Sequence, residues 1–245
     1  MTPYHFGVAI CLRDMLNISS SSCDVWRKHG LVVSGVSGGA LVAALFRYAP
    51  ETLNEAADFV CNTNKTLSGV LSNLSGRDIV PEDSLEVCVS RLSDGQLVRL
   101  NKHTNGDLED ALRAATFIPR DFHPFDLLSQ SSRRTYNSGH LYKHKELYFD
   151  AGICGHFMPF DDDTAFGISP FSLSNSSNTI VCPEDYHGNT TKTPSLTITK
   201  SNININIANL RRFHIAMFGG SEKILRSLVH NGYSDCARMF PKLFI

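Results

Sequence analysis

The sequence lacks a long uninterrupted apolar run, an excess of charge of either sign and any C-x-x-C pair. Its longest apolar stretch, residues 31–46, is broken by glycines and is shorter than the ~20 apolar residues that a membrane-spanning helix needs. Because 23 Lys and Arg stand against 24 Asp and Glu, we predict no basic surface for nucleic acid or for holding an acidic membrane by charge alone. We therefore expect a soluble or peripheral protein with no nucleic-acid partner.

The cysteines show no pattern of disulfide pairing. They are odd in number and scattered along the chain, which is not typical of a disulfide framework. The N-terminal residues Met1–His5 lack the basic stretch and the apolar region of a secretory signal. These features predict reduced, mostly buried thiols and a cytoplasmic location. The seven cysteines are Cys11, Cys23, Cys61, Cys88, Cys154, Cys182 and Cys236.

The composition, with 42% hydrophobic residues among 245, is sufficient for one large domain. There is no internal repeat and no linker long enough for a second domain, and the alternation of strands and helices favours a layered α/β fold. Apolar periodicity predicts helices over Phe6–Leu16, Ala40–Phe46, Leu53–Asn62, Ser84–Leu92, Asp107–Ala115, Asn209–Phe218 and Ser221–Phe240. Strands are predicted over Leu31–Val33, Gln96–Leu100, Leu147–Phe149, Ala165–Ser169 and Thr179–Val181, and Ser195–Ile207 alternates polar and apolar residues.

One short turn carries a possible nucleophile. Gly35-x-Ser37-x-Gly39 lies between a predicted strand and a predicted helix, and this is the context of a nucleophile elbow with Ser37 at its apex. A glycine-rich packing turn or a phosphate-binding loop would also fit this spacing. No Lys follows the glycines, which excludes a Walker-type loop.

A nucleophilic serine needs a base, and the residues leave two alternatives open. The first is a Ser-His-Asp triad, in which His214 or His230 would act on Ser37, although both lie in predicted helices. The second is a dyad with Asp150, which follows a predicted strand and precedes small residues, so that its side chain can reach a cleft. A structural turn aspartate would show the same local pattern.

Two motifs together resemble the patatin-like phospholipase family. Ser37 lies in the G-x-S-x-G pattern, and Asp150-Ala151-Gly152 is similar to the family's D-G-[GA] motif. Further segments are similar to landmarks of the adipose triglyceride lipase and adiponutrin branch, and the similarity extends from Tyr4 to Phe240. These segments are Tyr4–Ala9, Phe117–Pro119, Ile168–Ser172, Cys182–Asp185 and Asn209–Arg212.

This resemblance implies a single patatin-like domain over residues 1–245, with a central mostly parallel sheet flanked by helices. It implies that Ser37 attacks an ester carbonyl, that Asp150 is the general base and that Gly38 supplies one oxyanion N–H, with no histidine involved. The implied function is a lipid acyl hydrolase of the triacylglycerol lipase or phospholipase type, in lipid degradation and homeostasis. It would act on acylglycerol or phospholipid while peripherally bound to a lipid droplet or membrane. No cofactor and no metal are implied, and a protein co-activator is left unidentified.

The sequence departs from the family pattern in two places. The family's first strand and G-x-G-x-x-G loop, which carries oxyanion donors, precede the segment matched by Tyr4, so we expect the domain to be N-terminally incomplete or catalytically weak. Ala151 stands where the family has glycine and would be strained if that position required a positive φ. The alternative function is therefore an inactive lipid-binding or partner-binding remnant of the fold.

Three other signals favour ordinary structural explanations. His140 and His144, with Glu146, have the spacing of metal ligands on a helix, but neighbouring lysines favour a solvated loop. Residues Asp161–Asp163 lack the spacing of a calcium loop and indicate a solvated turn. The aromatic segment Phe117–Leu128 fits a lid, an interfacial anchor or packing over the core.

Overall fold

The structure of the protein is a computed structural model that describes residues 2–19, 30–77, 79, 84–122, 138–143, 146–156, 166–173, 180–183, 195–198 and 201–243. Seven α-helices lie in this part of the chain. They are α1 (Thr2–Leu16), α2 (Gly38–Tyr48), α3 (Leu53–Thr63), α4 (Thr66–Leu74), α5 (Asn105–Ala115), α6 (Ile207–Phe218) and α7 (Glu222–Met239).

Six of these seven helices confirm the sequence predictions to within about one helical turn. Helix α4 was missed because its serines, glycine and asparagine are poor helix formers, and the buried Val70 and Leu74 stabilise it by packing.

The described strands form one five-stranded sheet and two small pairs. The strands of the large sheet are β1 (Val33–Val36), β2 (Leu85–Arg91), β3 (Leu97–Leu100), β4 (His140–Tyr142) and β5 (Glu146–Asp150). The small pairs are β6 (Gly167–Ile168) with β7 (Ile180–Val181) and β8 (Ser195–Ile198) with β9 (Ser201–Asn204). The α/β class and the flanking helices were predicted correctly.

The large sheet is mixed, which corrects the expectation of a mostly parallel sheet. Only β1 pairs in parallel, with β2, whereas the β2–β3, β2–β5 and β4–β5 pairings are antiparallel. The connections explain the difference. Helices α2 to α4 form a long crossover between β1 and β2, but short turns join β2 to β3 and β4 to β5, and a short turn allows only an antiparallel pair.

Strand β2 is the main error of the sequence analysis, since a helix was predicted over Ser84–Leu92. Four successive residues of this strand, Val87 to Ser90, are buried, because helices and loops cover both of its faces. A strand buried on both faces loses its polar–apolar alternation, and its apolar spacing can then imitate a helix. The β-branched Val87 and Val89 were the available signal for a strand.

Helix α1 is buried on nearly all sides. Phe6, Ala9 and Ile10 face the main core, which α2 to α5 and the sheet complete. Tyr4 and Val8 face a second cluster that α7 and β7 complete. A helix that is apolar around most of its circumference is expected in such a central position.

Two glycines bring α1 and α7 to backbone contact. A Cβ on Gly7 would lie 1.9 Å from the carbonyl oxygen of Val229, and a Cβ on Gly232 would lie 2.1 Å from that of Tyr4. One turn further along, Cys11 contacts Cys236. Because the contacting residues advance together, the two helices run in the same direction.

Replacement of Gly7 tests this contact. Gly7→Ala is expected to lower the free energy of unfolding by about 3 kcal/mol or more, because the helices must separate to admit the methyl group. Urea unfolding followed by circular dichroism measures the change. The matched control is Gly106→Ala in α5, where nothing lies within 4 Å of the added Cβ, and a gain of about 0.5–1 kcal/mol is expected. Similar effects of the two substitutions would contradict the proposed packing.

No helix in the described part of the chain has both the length and the apolar character required to cross a bilayer. None of the six cysteines in that part is in a disulfide. Residues Asp161–Asp163 and the second half of Phe117–Leu128 lie outside the described residues, so the interpretations of both segments stay predictions. Phe117 and Phe122 are described, and they pack against Phe149 and Ile153.

Candidate active site

Ser37 occupies a sharp turn between β1 and α2, as the motif predicted. Its backbone angles are φ 54° and ψ −133°, in a region that residues other than glycine rarely adopt. Such a conformation costs about 1–3 kcal/mol and persists only where the surrounding structure imposes it. Ser37 is partly exposed, and helix α2 begins with the next residue. These are the features of a nucleophile elbow.

Glycines flank Ser37 because the backbone of other elements lies too close for a side chain. A Cβ on Gly35 would lie 2.5 Å from the backbone nitrogen of Ala40. A Cβ on Gly38 would lie 2.1 Å from the Oγ1 of Thr2, in the first turn of α1. The strand, the elbow helix and α1 are therefore packed together around the serine.

Asp150 reaches Ser37 because β1 and β5 meet end to end along β2. Strand β3 occupies one edge of β2, where it pairs with residues 87–90. Strand β1 pairs with residues 85–88 of β2 and β5 pairs with residues 89–91. Because these residues overlap with those that pair with β3, β1 and β5 must both lie on the opposite edge of β2. Strand β1 runs parallel to β2 and β5 runs antiparallel, so their C-terminal ends converge between Cys88 and Val89. The turn at Ser37 and the end of β5 at Asp150 meet at this junction.

The two predicted site residues are joined by a hydrogen bond between their side chains. Asp150 Oδ1 also accepts the backbone N–H of Gly152 at 2.8 Å. The backbone N–H of Asp150 itself donates to the carbonyl oxygen of Phe117 at 3.0 Å. The carboxylate thus contacts Ser37 and Gly152, and the backbone hydrogen bond to Phe117 holds the end of the strand that carries it.

Burial sets the protonation behaviour of this carboxylate. Asp150 is only 6% exposed. Loss of hydration raises its pKa from 3.8 to about 6, and the hydrogen bonds from Ser37 and Gly152 oppose the rise. The group is therefore mostly ionised at neutral pH, yet it has a higher proton affinity than an exposed aspartate. Such a carboxylate is suited to accept a proton from a hydroxyl group.

Ala151 does not have the positive φ that would have made alanine strained at this position. Ala151 begins a turn of 3₁₀ helix, Ala151–Cys154, and is absent from the residues with positive φ in the described part of the chain. The left-handed position of this turn falls on Gly155, with φ 78°. The buried methyl group of Ala151 is therefore compatible with the fold of the site.

The sequence analysis missed three residues that build the site. Thr2 packs on the elbow at Gly38, and the His5 ring lies 3.5 Å from where a Cβ of Gly39 would be. Phe117 aligns the acid through its carbonyl group. Only for Phe117 did the sequence contain a signal, the nearby Pro119, because residues shortly before a proline tend to have an extended backbone.

The histidines of the triad alternative lie on helix surfaces. His214 is exposed on α6, where its ring packs against Phe218 at a centroid distance of 5.0 Å. His230 is exposed on α7. Asp150, in contrast, contacts Ser37 directly. The geometry thus brings together Ser37 and Asp150, the two residues of the dyad alternative.

The metal-like spacing of His140 and His144 does not correspond to a helix face. His140 lies in β4 and its Nε2 is 3.4 Å from a carboxylate oxygen of Asp110, while His144 lies outside the described residues. In the part of the chain that the structure describes, no group of three or more His, Cys, Asp or Glu is arranged to hold a metal ion.

Comparison with known proteins points to one class, the patatin-like phospholipases. Over 98% of its length the chain is similar to patatin-like phospholipase domain-containing protein 2 of Rattus norvegicus, with 27% identity over 252 residues. The proteins of the same name from Mus musculus and Homo sapiens are 26% and 25% identical. The chain spans about half the length of these curated relatives, 48% of the rat protein and 46% of the human one. No family model matches the chain.

The resemblance to the patatin-like phospholipase family that the two motifs indicated is confirmed by these matches. The α/β architecture, with a mixed sheet between helices, is consistent with a patatin-like fold. The roles of Ser37, Asp150 and Gly38 stay predictions.

Neutralising the buried carboxylate should stabilise the protein in a pH-dependent way. Because the pKa of Asp150 is raised to about 6 in the folded state, the ionised form weakens the fold above that pH, and the penalty vanishes as the pH falls towards 4. Asp150→Asn is therefore expected to add about 1–3 kcal/mol to the free energy of unfolding near pH 8, and almost nothing near pH 4.

Urea unfolding at the two pH values measures this difference. The control is Glu55→Gln, an exposed carboxyl in α3, for which a change below about 0.5 kcal/mol is expected at both. A stabilisation by Asp150→Asn that is equal at both pH values would rule out ionisation as its cause.

Proposed function

We propose that the protein is a lipid acyl hydrolase of the triacylglycerol lipase or phospholipase type, in which Ser37 is the nucleophile and Asp150 the general base. The observation that carries the proposal is the hydrogen bond between a serine on a strained strand-to-helix turn and a carboxylate that is 6% exposed. The name of the relatives, which describes patatin-like phospholipases, supports the same class of chemistry.

The first half of the reaction is acyl transfer to the enzyme. The Ser37 hydroxyl passes its proton to Asp150 as its oxygen attacks the ester carbonyl carbon. The resulting tetrahedral intermediate collapses by breaking the bond to the alkoxy oxygen, and the departing alcohol takes the proton from Asp150. The products of this half are acyl-Ser37 and a diacylglycerol or lysophospholipid.

The second half restores the enzyme. A water molecule gives a proton to Asp150 and attacks the acyl carbon, and a second tetrahedral intermediate releases the fatty acid while Ser37 regains its proton. Each half transfers one proton to Asp150 and takes it back. The reaction proposed here uses only these two side chains, backbone N–H groups and water.

The N-terminus of α2 is the proposed source of one oxyanion donor. Gly38 is the first residue of this helix, and the first N–H groups of a helix have no intrahelical acceptor. They also carry the positive end of the helix dipole. An N–H of this kind, fixed next to the nucleophile, can stabilise the developing negative charge, and one such donor is typically worth about a hundred- to a thousandfold in rate.

The proposed substrates are acylglycerols or phospholipids at the surface of a membrane or lipid droplet, with a role in lipid degradation. This substrate class rests on the phospholipase name of the relatives. Long-chain esters of this kind are concentrated at lipid surfaces, so a hydrolase that acts on them must bind there peripherally.

Covalent labelling tests the nucleophile. The purified chain is expected to react with a fluorophosphonate probe at Ser37 and to release fatty acid from long-chain acylglycerol or phospholipid. Ser37→Ala should abolish labelling and lower the rate by at least about a thousandfold. The matched control is Ser227→Ala on the exposed surface of α7, which should change neither. Lipid binding without labelling or hydrolysis would instead support the non-catalytic alternative.

The pH dependence tests the base. Since Asp150 must be ionised to accept a proton and burial raises its pKa to about 6, kcat/KM should be constant above that pH and fall about tenfold per pH unit below it. Stopped assays with a soluble short-chain ester give the profile. An inflection near the ordinary carboxyl pKa of about 4 would exclude Asp150 in its buried state as the base.

Two histidine variants separate the dyad from the triad. His214→Ala and His230→Ala remove exposed side chains and should retain the wild-type rate within about twofold. Loss of activity in either variant, with unchanged circular dichroism, would favour the triad.

A further inference from the structure

Helix α6 exposes an apolar face. Ile207 is 72% exposed, Leu210 is 69% exposed and Phe218 is 72% exposed. Single exposed apolar residues are common, but a group of large ones on one short helix indicates a surface that binds something.

The three side chains lie on one side of the helix. Ile207, Leu210, His214 and Phe218 follow one another at spacings of three, four and four residues, which places them along one helical face. The rings of His214 and Phe218 contact each other, so that the face is continuous at its C-terminal end. We call Ile207, Leu210 and Phe218 the apolar face of α6.

The N-terminal half of the helix is held to the protein by hydrogen bonds. Asn209 is its buried residue, and its amide accepts the N–H of Ser172 at 3.0 Å and donates to the carbonyl oxygens of Ser172 and Asn204 at 3.0 and 2.8 Å. Arg212 also donates to Asn209 at 2.8 Å. An ordinary surface helix buries its apolar side and exposes its polar side. Here Asn209 at one end and the packing of Ile215 against Cys61, Leu225 and Leu228 at the other hold the helix, and a second apolar face is exposed.

The stretch of sequence that contains α6 carries charge of one sign. Residues 186–221 contain four of the chain's 23 Lys and Arg and none of its 24 Asp and Glu. Within α6 the basic residues are Arg211, which is exposed next to the apolar face, and Arg212. Since the whole chain has a net charge of −1, this positive stretch is a local feature.

Arg212 of α6 lies close enough to Tyr4 of α1 to influence its titration. Burial is the main cause of the raised pKa of Tyr4, and the nearby Arg212 guanidinium acts weakly in the opposite direction. Tyr4 belongs to the first turn of α1, where Thr2 packs on the elbow at Gly38.

We propose that the apolar face of α6, with Arg211, docks the protein on a phospholipid surface that carries anionic headgroups. The proposal rests on the proposed function, because it identifies where the hydrolase would contact its lipid. The apolar side chains would enter the boundary between headgroups and acyl chains, and Arg211 would contact the negative headgroups. A protein partner with an apolar groove would use the apolar side chains but would not require the exposed Arg211 beside them.

Vesicle flotation with the purified chain tests the docking face. Wild type should bind phosphatidylcholine vesicles that contain phosphatidylserine, and Leu210→Glu combined with Phe218→Glu should weaken this binding at least tenfold, because two exposed anchors are lost and two like charges are added. Arg211→Gln should weaken binding about fivefold on the anionic vesicles and leave binding to pure phosphatidylcholine unchanged. The control is Leu16→Glu, which alters another exposed apolar side chain, at the end of α1.

The readouts separate this proposal from the hydrolase proposal. The double variant should keep the melting temperature of wild type and its rate on a soluble short-chain ester, while its rate on vesicles falls with its binding. If no ester is hydrolysed but binding changes as expected, the docking face stands and the hydrolase proposal fails. Absence of binding by wild type, or equal binding by the double variant, overturns the docking proposal. A change of oligomeric state in the double variant, with no wild-type binding to vesicles, would overturn it in favour of self-association.

Discussion

The close contact between α1 and α7 is the constraint on which the site depends. Gly7 and Gly232 let the two backbones touch, and this position of α1 presses Thr2 against Gly38 of the elbow. Ser37 can hold its strained backbone only because strand, elbow helix and α1 leave it no other conformation. The geometry of the nucleophile is thus determined by packing that begins more than a helical turn away from it.

The candidate site combines two features that weaken the fold. One is the positive φ of Ser37, and the other is an ionised Asp150 with almost no access to water. Neither would persist without the large core around them, which lies between the sheet and helices α1 to α5. Strain and buried charge of this kind are typical of functional sites, where stability is lower than the same fold could reach.

Local signals predicted the elements of the site, and long-range pairing decided how they meet. The glycines and Ser37 predicted the elbow, and the apolar residues before Asp150 predicted β5, because both patterns reside in a few adjacent residues. The meeting of β1 and β5 along one edge of β2 could not be predicted, since β2 itself resembled a helix and pairing register depends on residues far apart in sequence. The mostly parallel sheet was an implication of the family resemblance, and the short connections after β2 and β4 produce antiparallel pairs instead.

The parallel contact of α1 with α7 has a consequence for synthesis. Residues 2–74 contain α1, β1 and α2 to α4, so these elements can begin to pack together while the chain is still being synthesised. The side of α1 that carries Tyr4 and Gly7 can pack against α7 only after residue 239 has emerged from the ribosome. Until then this side of α1 has no partner helix, so the packing of α7 on α1 is a late step in the folding of this part of the chain during synthesis.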